Sequence, residues 1–259
     1  MPEEQRFIFD EVAEIYDRVR PRYPEVLIDD VIYLSRIAPY GRILEVGCGT
    51  GQATLPFARR GFVIDGLEPG SALARLAQAR LTRFPKAEVI QCTFEAWPLE
   101  AKAYDLIISA QSFHWITPEI RFAKSAAALR TGGALAVFGN AVVYEATPLR
   151  EAIDDAYAHH APSLGGPPTT HWYAREGPIP LLFDDSHCFG SVIWRAYPWS
   201  QAYTSTEYLD LLRTHSDHRL LPTEQREKLL DAVHEAIEIH GGNIECRYVA
   251  HLYLARRAD

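Results

Sequence analysis

The chain has 259 residues, 47% of them hydrophobic and 23% charged, which is the balance of a soluble globular protein with a large core. It contains no apolar run of the roughly 18 residues that a membrane span needs, and no apolar segment near its charged N-terminus, so we expect a cytoplasmic protein without membrane association. Its 26 basic and 34 acidic residues give a net charge of −8, which disfavours nucleic acid as a partner because phosphates would be repelled.

Helical spacing of apolar residues predicts two N-terminal helices, 3–19 and 25–37, joined by the turn Arg20-Pro21-Arg22-Tyr23-Pro24. From residue 42 onwards, short apolar runs alternate with amphipathic segments. In chain order we predict strand 42–47, a helix reaching residue 60, strand 62–68, helix 71–84 with Ser71 as its cap, strand 88–92, strand 104–109, helix 119–130, a turn at 131–133 and strand 134–139. This alternation predicts a doubly wound α/β fold, with a mostly parallel sheet covered on both faces.

After residue 140 the alternation stops. Helix 147–160 leads into a Pro- and Gly-rich stretch, 162–168, which we interpret as a loop or lid. Two further strands, 188–197 and 245–255, flank helices 206–213 and 222–240. We expect these strands to extend one edge of the sheet as an antiparallel pair.

The most informative motif is Leu44-Glu45-Val46-Gly47-Cys48-Gly49-Thr50-Gly51 at the end of the first predicted strand. Glycines there allow a sharp turn and the close approach of a ligand. A dinucleotide fingerprint would require glycine where Gln52 stands, so a nicotinamide-dependent oxidoreductase is disfavoured. Glu68 lies 21 residues after Gly47, at the end of the second strand, where an acid can accept both hydroxyls of a ribose.

Together with Gly66-Leu67-Glu68-Pro69 and Tyr104-Asp105-Leu106-Ile107-Ile108-Ser109, this motif resembles the class I S-adenosylmethionine-dependent methyltransferases over residues 40–140. The resemblance implies a seven-stranded sheet with an antiparallel last strand and S-adenosylmethionine as cofactor. It implies that Glu45 and the loop from Gly47 through Cys48 and Gly49 to Gly51 hold the methionine end, Glu68 the ribose and Pro69 the adenine. It also extends the candidate cofactor residues to Ser109 and to Thr93 and Phe94, where the family usually has an acid near the adenine.

Within that superfamily, Tyr16, the segment Arg20 to Pro24 and Gln111-Ser112-Phe113-His114-Trp115 are similar to small-molecule enzymes of the trans-aconitate methyltransferase and methyltransferase type 11 group. The resemblance implies one domain over 1–259, with an N-terminal helical lid (1–39), a cofactor-binding core (40–140), an acceptor-side insertion after the fifth strand (141–243) and the last strand (244–259). The candidate acceptor-side residues are Tyr16, Arg20, Arg22, Tyr23, His114 and Trp115.

The acceptor chemistry depends on two interpretations that the sequence leaves open. A carboxylate needs no base, and Arg20 and Arg22 could bind one through charge-assisted hydrogen bonds or could simply be solvated. A hydroxyl or amine acceptor would need a base, and His114 is the candidate, unless it only packs over the cofactor. We favour O-methylation of a carboxylate on a small organic molecule. The alternatives are C- or N-methylation of a quinone-like metabolite, or a non-catalytic module that binds S-adenosylmethionine.

Metal binding is not expected from the sequence. The four cysteines lie more than forty residues apart and form no C-x-x-C pair, which indicates reduced thiols. His159-His160, His171 and the pair His215 and His218 have no acid or cysteine at a familiar ligand spacing, so we interpret them as surface or capping residues. The sequence does not indicate an oligomeric state.

Overall fold

The structure is a computed structural model that describes residues 8–164 and 171–258. The start of the first predicted helix and most of the predicted 162–168 lid lie outside the described residues. Among the described residues, no helix combines the length and apolar character that crossing a bilayer requires.

A seven-stranded sheet forms the centre of the molecule, with strand order β3-β2-β1-β4-β5-β7-β6. Its strands are β1 (Arg42–Val46), β2 (Val63–Leu67), β3 (Ala87–Ile90), β4 (Tyr104–Ala110), β5 (Leu129–Val142), β6 (Ile193–Thr204) and β7 (Asn243–Arg256). Strands β1 to β5 pair in parallel, whereas β7 lies antiparallel between β5 and β6. The predicted α/β fold with an antiparallel strand pair at one edge is therefore confirmed.

Helices cover both faces of the sheet and build a cap at one end. They are α1 (Ala13–Val19), α2 (Glu25–Ser35), α3 (Thr54–Arg59), α4 (Ser71–Leu81), α5 (Pro118–Ala128), α6 (Pro148–His160), α7 (Ile179–Ser186), α8 (Ser205–Arg213), α9 (Ser216–Arg219) and α10 (Thr223–Ile239). Buried residues of α2, α3 and α4 pack on one face, and those of α5 and α7 on the other. A third apolar cluster joins α6, α8 and α10, which form the cap.

Three predicted elements differ in the structure. Strand β5 begins at Leu129 rather than residue 134, because Leu129 pairs with Tyr104 and residues 130–133 bulge out before pairing resumes at Ala134. Strand β6 covers 193–204 instead of 188–197, and helix α7, which the sequence analysis did not predict, precedes it. The predicted helix 3–19 is a 3-10 turn over Ile8–Val12 followed by α1.

The start of α4 is capped by a distant residue rather than by Ser71. Gly70 occupies the N-cap position and Ser71 is the first helical residue. The carboxylate of Asp10 instead accepts hydrogen bonds from the Ala72 and Leu73 backbone N–H groups at 2.5 and 3.1 Å. A side-chain acceptor at a helix start satisfies otherwise unpaired N–H groups. These hydrogen bonds from Asp10 therefore also attach the N-terminal segment to the core.

Candidate functional site

The glycine motif forms a tight loop between β1 and α3, at the carboxyl end of the parallel strands. The backbone N–H groups of Gly47 and Cys48 donate to the Leu67 carbonyl at 2.9 and 3.0 Å, which ties the loop to β2. Gly47 has φ of +73°, and a Cβ there would lie 2.5 Å from the Ser112 Cβ. Gly49 has φ of +57°, and a Cβ there would meet nothing within 4 Å, so the space above Gly49 is open.

This open space belongs to a cleft between the loop, the end of β2 and the N-terminal helix; we call it the cofactor cleft. The predicted cofactor residues that line it are Gly47, Gly49, Glu68, Pro69, Thr93 and Phe94. The predicted residues Glu45, Cys48, Gly51 and Ser109 lie outside that lining. Ser109 is fully buried, and its hydroxyl lies 2.7 Å from that of Ser112, which lines the cleft.

Two acidic side chains near the cleft are buried. Neither carboxylate oxygen of Glu45 has a hydrogen-bond partner among the described residues, and burial raises its pKa to about 8. Glu68 accepts hydrogen bonds from the backbone N–H groups of Gly49 at 2.8 Å and Gly70 at 2.9 Å. Burial raises the pKa of Glu68 to about 7, although these two hydrogen bonds act in the opposite direction. Ionising a buried carboxyl is costly, so a hydrogen-bond donor or a cation that arrived beside either group would stabilise its ionised form.

Helix α1 covers the cleft and is anchored to the core by an ion pair. The Arg80 guanidinium, on α4, contacts the Asp17 carboxylate at 2.5 Å and donates to the Thr50 carbonyl of the glycine loop at 3.1 Å. Tyr16, one residue earlier on α1, lines the cleft. Arg80 thus connects α1, which belongs to the predicted N-terminal lid, with the glycine loop.

A second cavity adjoins the cofactor cleft; we call it the vestibule. Tyr16, Gln111 and Trp115 line both cavities, and Arg20, His114, His171 and His215 are among the other vestibule residues. Gln111 follows the end of β4 and has φ of +59°, a conformation that costs energy for a residue with a Cβ and is concentrated at functional sites. Gln111 is not among the site residues predicted from the sequence, although its position at the carboxyl end of a parallel strand is a usable signal.

The structure brings together four of the six candidate acceptor-side residues. Tyr16, Arg20, His114 and Trp115 line the vestibule. Arg20 is held in place, because its guanidinium donates to the Thr214 hydroxyl at 2.8 Å and the Thr214 carbonyl at 2.6 Å.

The other two candidates lie elsewhere. Tyr23 packs edge-on against Phe138, with ring centroids 4.9 Å apart. Arg22 is exposed, and only its backbone carbonyl has a described hydrogen bond, from the Asn140 side chain at 3.1 Å. Two residues away along the turn, the Arg20 side chain faces the cap instead, so the side chains of the two arginines do not lie together in the vestibule.

His114 lies among aromatic side chains at the vestibule wall. Its Nδ1 is 3.1 Å from the Tyr173 hydroxyl, and its ring centroid lies 4.9 Å from that of Trp115 and 5.6 Å from that of Trp172. Burial, with smaller contributions from His171 and Arg121, lowers the pKa of His114 to about 4. Burial also lowers the pKa of His171 and that of His215. Imidazoles with lowered pKa values are neutral at pH 7 and are weak bases.

Beyond the vestibule, a larger chamber reaches the cap helices. In its wall, the Asp217 carboxylate lies 2.7 Å from His218 Nδ1, and His218 Nε2 lies 2.6 Å from the Tyr157 hydroxyl. His215, Asp217 and His218 could each offer a ligand atom within 4.8 Å of the others. Asp217 thus supplies the acidic ligand that the sequence did not indicate for the pair His215 and His218. Both His218 nitrogens already have partners, however, and Arg20 lies close enough to lower the pKa of His215, which disfavours a second cation.

Comparison with known proteins identifies this type of site. A family model described as a methyltransferase domain matches residues 43–133. An uncharacterised methyltransferase of Mycobacterium tuberculosis is 26% identical over 233 residues, which cover 90% of this chain and 86% of the relative. An uncharacterised methyltransferase-like protein of Schizosaccharomyces pombe is 28% identical over 222 residues, which cover 83% of this chain and 79% of the relative.

The chain is a class I S-adenosylmethionine-dependent methyltransferase. A solved structure of a candidate type II methyltransferase from Anaeromyxobacter dehalogenans has the same fold, with a TM-score of 0.64 and 22% identity over 92% of this chain and 97% of that one. The methyltransferase is therefore an enzyme with S-adenosylmethionine as its cofactor, as the sequence predicts. The narrower resemblance to the trans-aconitate group stays a prediction.

Proposed function

We propose that this methyltransferase methylates a carboxylate oxygen of a small organic molecule that binds in the vestibule. When bound, S-adenosylmethionine supplies an electrophilic methyl group. The protein then has to hold a nucleophile in line with that group and exclude water, which can contribute roughly 7–11 kcal/mol to lowering the barrier. The contact of the vestibule with the cofactor cleft through Tyr16, Gln111 and Trp115 supports this division of roles.

The residues around the cofactor cleft fit S-adenosylmethionine. The buried Glu45 carboxyl, which lies just before the glycine loop, suits the ammonium group of the methionine end, because a nearby cation would stabilise the ionised form that burial disfavours. The open space at Gly49 admits the ligand where a side chain would exclude it. Glu68 suits the ribose hydroxyls, and Pro69, Thr93 and Phe94 line the part of the cleft that we assign to the adenine.

One observation carries the choice of a carboxylate: the vestibule combines the Arg20 guanidinium with imidazoles that are weak bases. A general base works best when its pKa lies near the working pH, and those of His114 and His171 are lowered. A carboxylate is already ionised at pH 7 and needs no proton removed. Arg20 can bind it through charge-assisted hydrogen bonds.

The test is a methyl-transfer screen with labelled S-adenosylmethionine against a panel of carboxylic acids and matched alcohols, phenols and amines. We expect label on a carboxylic acid. We expect Arg20→Gln to raise the KM of that acid about tenfold, or about 1.4 kcal/mol, without changing cofactor affinity. Arg22→Gln is the matched control and should leave KM unchanged because Arg22 is exposed outside the vestibule. Labelling of an alcohol, phenol or amine alone would contradict the proposal.

A second candidate function is methylation of a hydroxyl group, and the Asp217–His218–Tyr157 chain favours it. An imidazole held by a carboxylate can accept a proton from a hydroxyl, directly or through Tyr157. His218 and Tyr157 line the larger chamber and His114 lines the vestibule, whereas Asp217 lines both cavities. If a hydroxyl is the acceptor, His218→Gln should lower kcat on the order of a hundredfold. On a carboxylate acceptor the same change should leave kcat nearly unaffected.

A further inference from the structure

We propose that Tyr173 holds His114 in the tautomer with its proton on Nε2, so that His114 donates a hydrogen bond to the acceptor and is not the general base. His114 then acts on the acceptor, and Tyr173 is a positioning residue. The role in acceptor binding rests on the proposed function, whereas the tautomer itself depends only on the contacts of Tyr173.

The Tyr173 hydroxyl has three hydrogen-bonding neighbours, namely the backbone N–H groups of Phe113 and His114 and the ring nitrogen Nδ1 of His114. The Phe113 backbone N–H donates to its oxygen at 3.2 Å, and His114 Nδ1 lies 3.1 Å away. A phenol oxygen has one proton and two lone pairs, and the backbone N–H groups of Phe113 and His114 can only donate, so they occupy both lone pairs. The phenol proton therefore goes to Nδ1. Burial raises the pKa of Tyr173 well above its ordinary value, so this proton is retained at pH 7.

The consequence for His114 follows from the chemistry of a neutral imidazole, in which one nitrogen donates and the other accepts. Nδ1 accepts from Tyr173, so Nε2 carries the proton. The titratable and charged groups around the ring are Tyr173, His171 and Arg121, and none of these is an acid that would favour the imidazolium. The lone pair that a base would need thus points at Tyr173, and an N–H remains for the vestibule.

The packing of Tyr173 keeps this arrangement rigid. Its side chain is 1% exposed, and it lies against Gly139 of β5, where a Cβ would come within 2.5 Å of the ring. Strand β7, which pairs with β5, also contributes, because the hydroxyl of its Tyr253 donates to the Ala174 carbonyl at 2.7 Å and fixes the backbone beside Tyr173. A donor held in position before the ligand arrives binds it with less loss of entropy.

The direct test is two-bond proton–nitrogen NMR of the unliganded protein with labelled imidazoles at pH 7. We expect His114 to show a protonated Nε2 and an unprotonated Nδ1. Tyr173→Phe should move the nitrogen shifts of His114 towards a mixture of both tautomers. Tyr197→Phe removes a buried tyrosine hydroxyl that donates to Asp30 on the other face of the sheet, away from Tyr173 and His114, so it should leave these shifts in place. A wild-type His114 protonated on Nδ1 would overturn the proposal.

A kinetic test on the labelled carboxylic acid addresses the donor role. The amide of glutamine can place an N–H near the position of Nε2, whereas that of asparagine lies nearer Nδ1. We expect His114→Gln to keep kcat and the acceptor KM within threefold, and His114→Asn to raise KM about tenfold. A hundredfold fall in kcat for His114→Gln would identify a base and overturn the donor role. Failure to find any carboxylic acid substrate would contradict the proposed function, but the NMR result would still decide the tautomer.

Discussion

The cofactor cleft and the vestibule are built in different ways. Most of the cleft comes from the ends of β1, β2 and β4 and from the loops that follow β1, β2, β3 and β4, all between residues 46 and 116. The vestibule combines residues from α1, from the loop after β4, from 171–173 and from the start of α9. A site built on consecutive strand ends leaves a motif in the sequence, whereas a site assembled from distant segments leaves separate residues with no common spacing.

Helix α1 connects the two sites physically. On one side, Asp17 pairs with Arg80 beside the glycine loop. On the other, Arg18 pairs with Asp210 of α8 at 2.6 Å, and Arg20 bonds Thr214. The same short helix is therefore linked to the glycine loop through Arg80 and contacts the cap directly. Substitutions in the contact with the glycine loop should therefore change cofactor affinity, whereas substitutions in the contact with the cap should change the KM of the acceptor.

The largest effect should come from the cofactor loop. Gly47→Ala adds a Cβ 2.5 Å from Ser112 at a residue with φ of +73°. Gly132→Ala is a matched control, because Gly132 has φ of +75° but open space around it. Both changes carry the left-handed penalty of about 1–2 kcal/mol, and only the first adds a clash. We expect at least a hundredfold loss of S-adenosylhomocysteine affinity by calorimetry for Gly47→Ala, and wild-type affinity for Gly132→Ala. Equal affinities would place the ligand elsewhere.

A second prediction concerns the pH dependence of stability. The folded-state pKa values of Glu45 and Glu68, about 8 and 7, are higher than the ordinary value of 4.5. The folded state therefore binds more protons than the unfolded state between pH 4.5 and 8, and stability falls as pH rises through this window. Glu45 has the higher pKa of the two, so Glu45→Gln should remove most of this loss of stability. We expect it to raise the Tm of the unliganded protein by about 5 °C at pH 8 and little at pH 4.5. A gain that is the same at both pH values would contradict this explanation.

The contrast between consecutive strand ends and distant segments also explains which parts of the fold and the site could be predicted from the sequence. Strands β1 to β4 and the loop residues Gly47, Gly49 and Glu68 follow from local pattern, because alternating hydrophobicity and turn glycines determine them. Strand β6 was misplaced by five residues at its start, since an edge strand with alternating exposure has a weaker signal than a buried parallel strand.

Long-range contacts account for the rest. The Asp10 cap of α4 joins residues more than sixty positions apart, so no local motif could have revealed it. Arg20 and Arg22 are indistinguishable in the sequence, yet only Arg20 meets Thr214, which lies 194 residues later. Tyr173 likewise reaches His114 from a segment 59 residues away. Pairings of this kind become visible only when the fold brings the segments together.

A smaller effect is expected for Glu68→Gln. The N–H groups of Gly49 and Gly70 donate to different carboxylate oxygens, so the amide keeps an acceptor for only one of them and also loses the charge. Hydrogen bonds to charged groups contribute about 1.5–3 kcal/mol, and the variant should lose part of this. We expect roughly tenfold weaker binding of S-adenosylhomocysteine by calorimetry. The exposed Glu88→Gln on β3 is the control and should bind as the wild type does. Unchanged affinity in a folded Glu68→Gln would remove Glu68 from the cofactor site.

The smallest effect should come from the contact of α1 with the core, and it distinguishes the two sites most directly. Asp17→Asn weakens the pair with Arg80, whose guanidinium also holds the Thr50 carbonyl of the glycine loop. The pair is partly exposed, so its contribution is at most about 1 kcal/mol. We expect cofactor affinity to fall about threefold. Asp29→Asn likewise weakens the contact between Arg60 and α2, away from the cofactor cleft, and should leave the affinity unchanged. If Asp17→Asn changed the acceptor KM but not cofactor affinity, α1 would act on the vestibule rather than on the glycine loop.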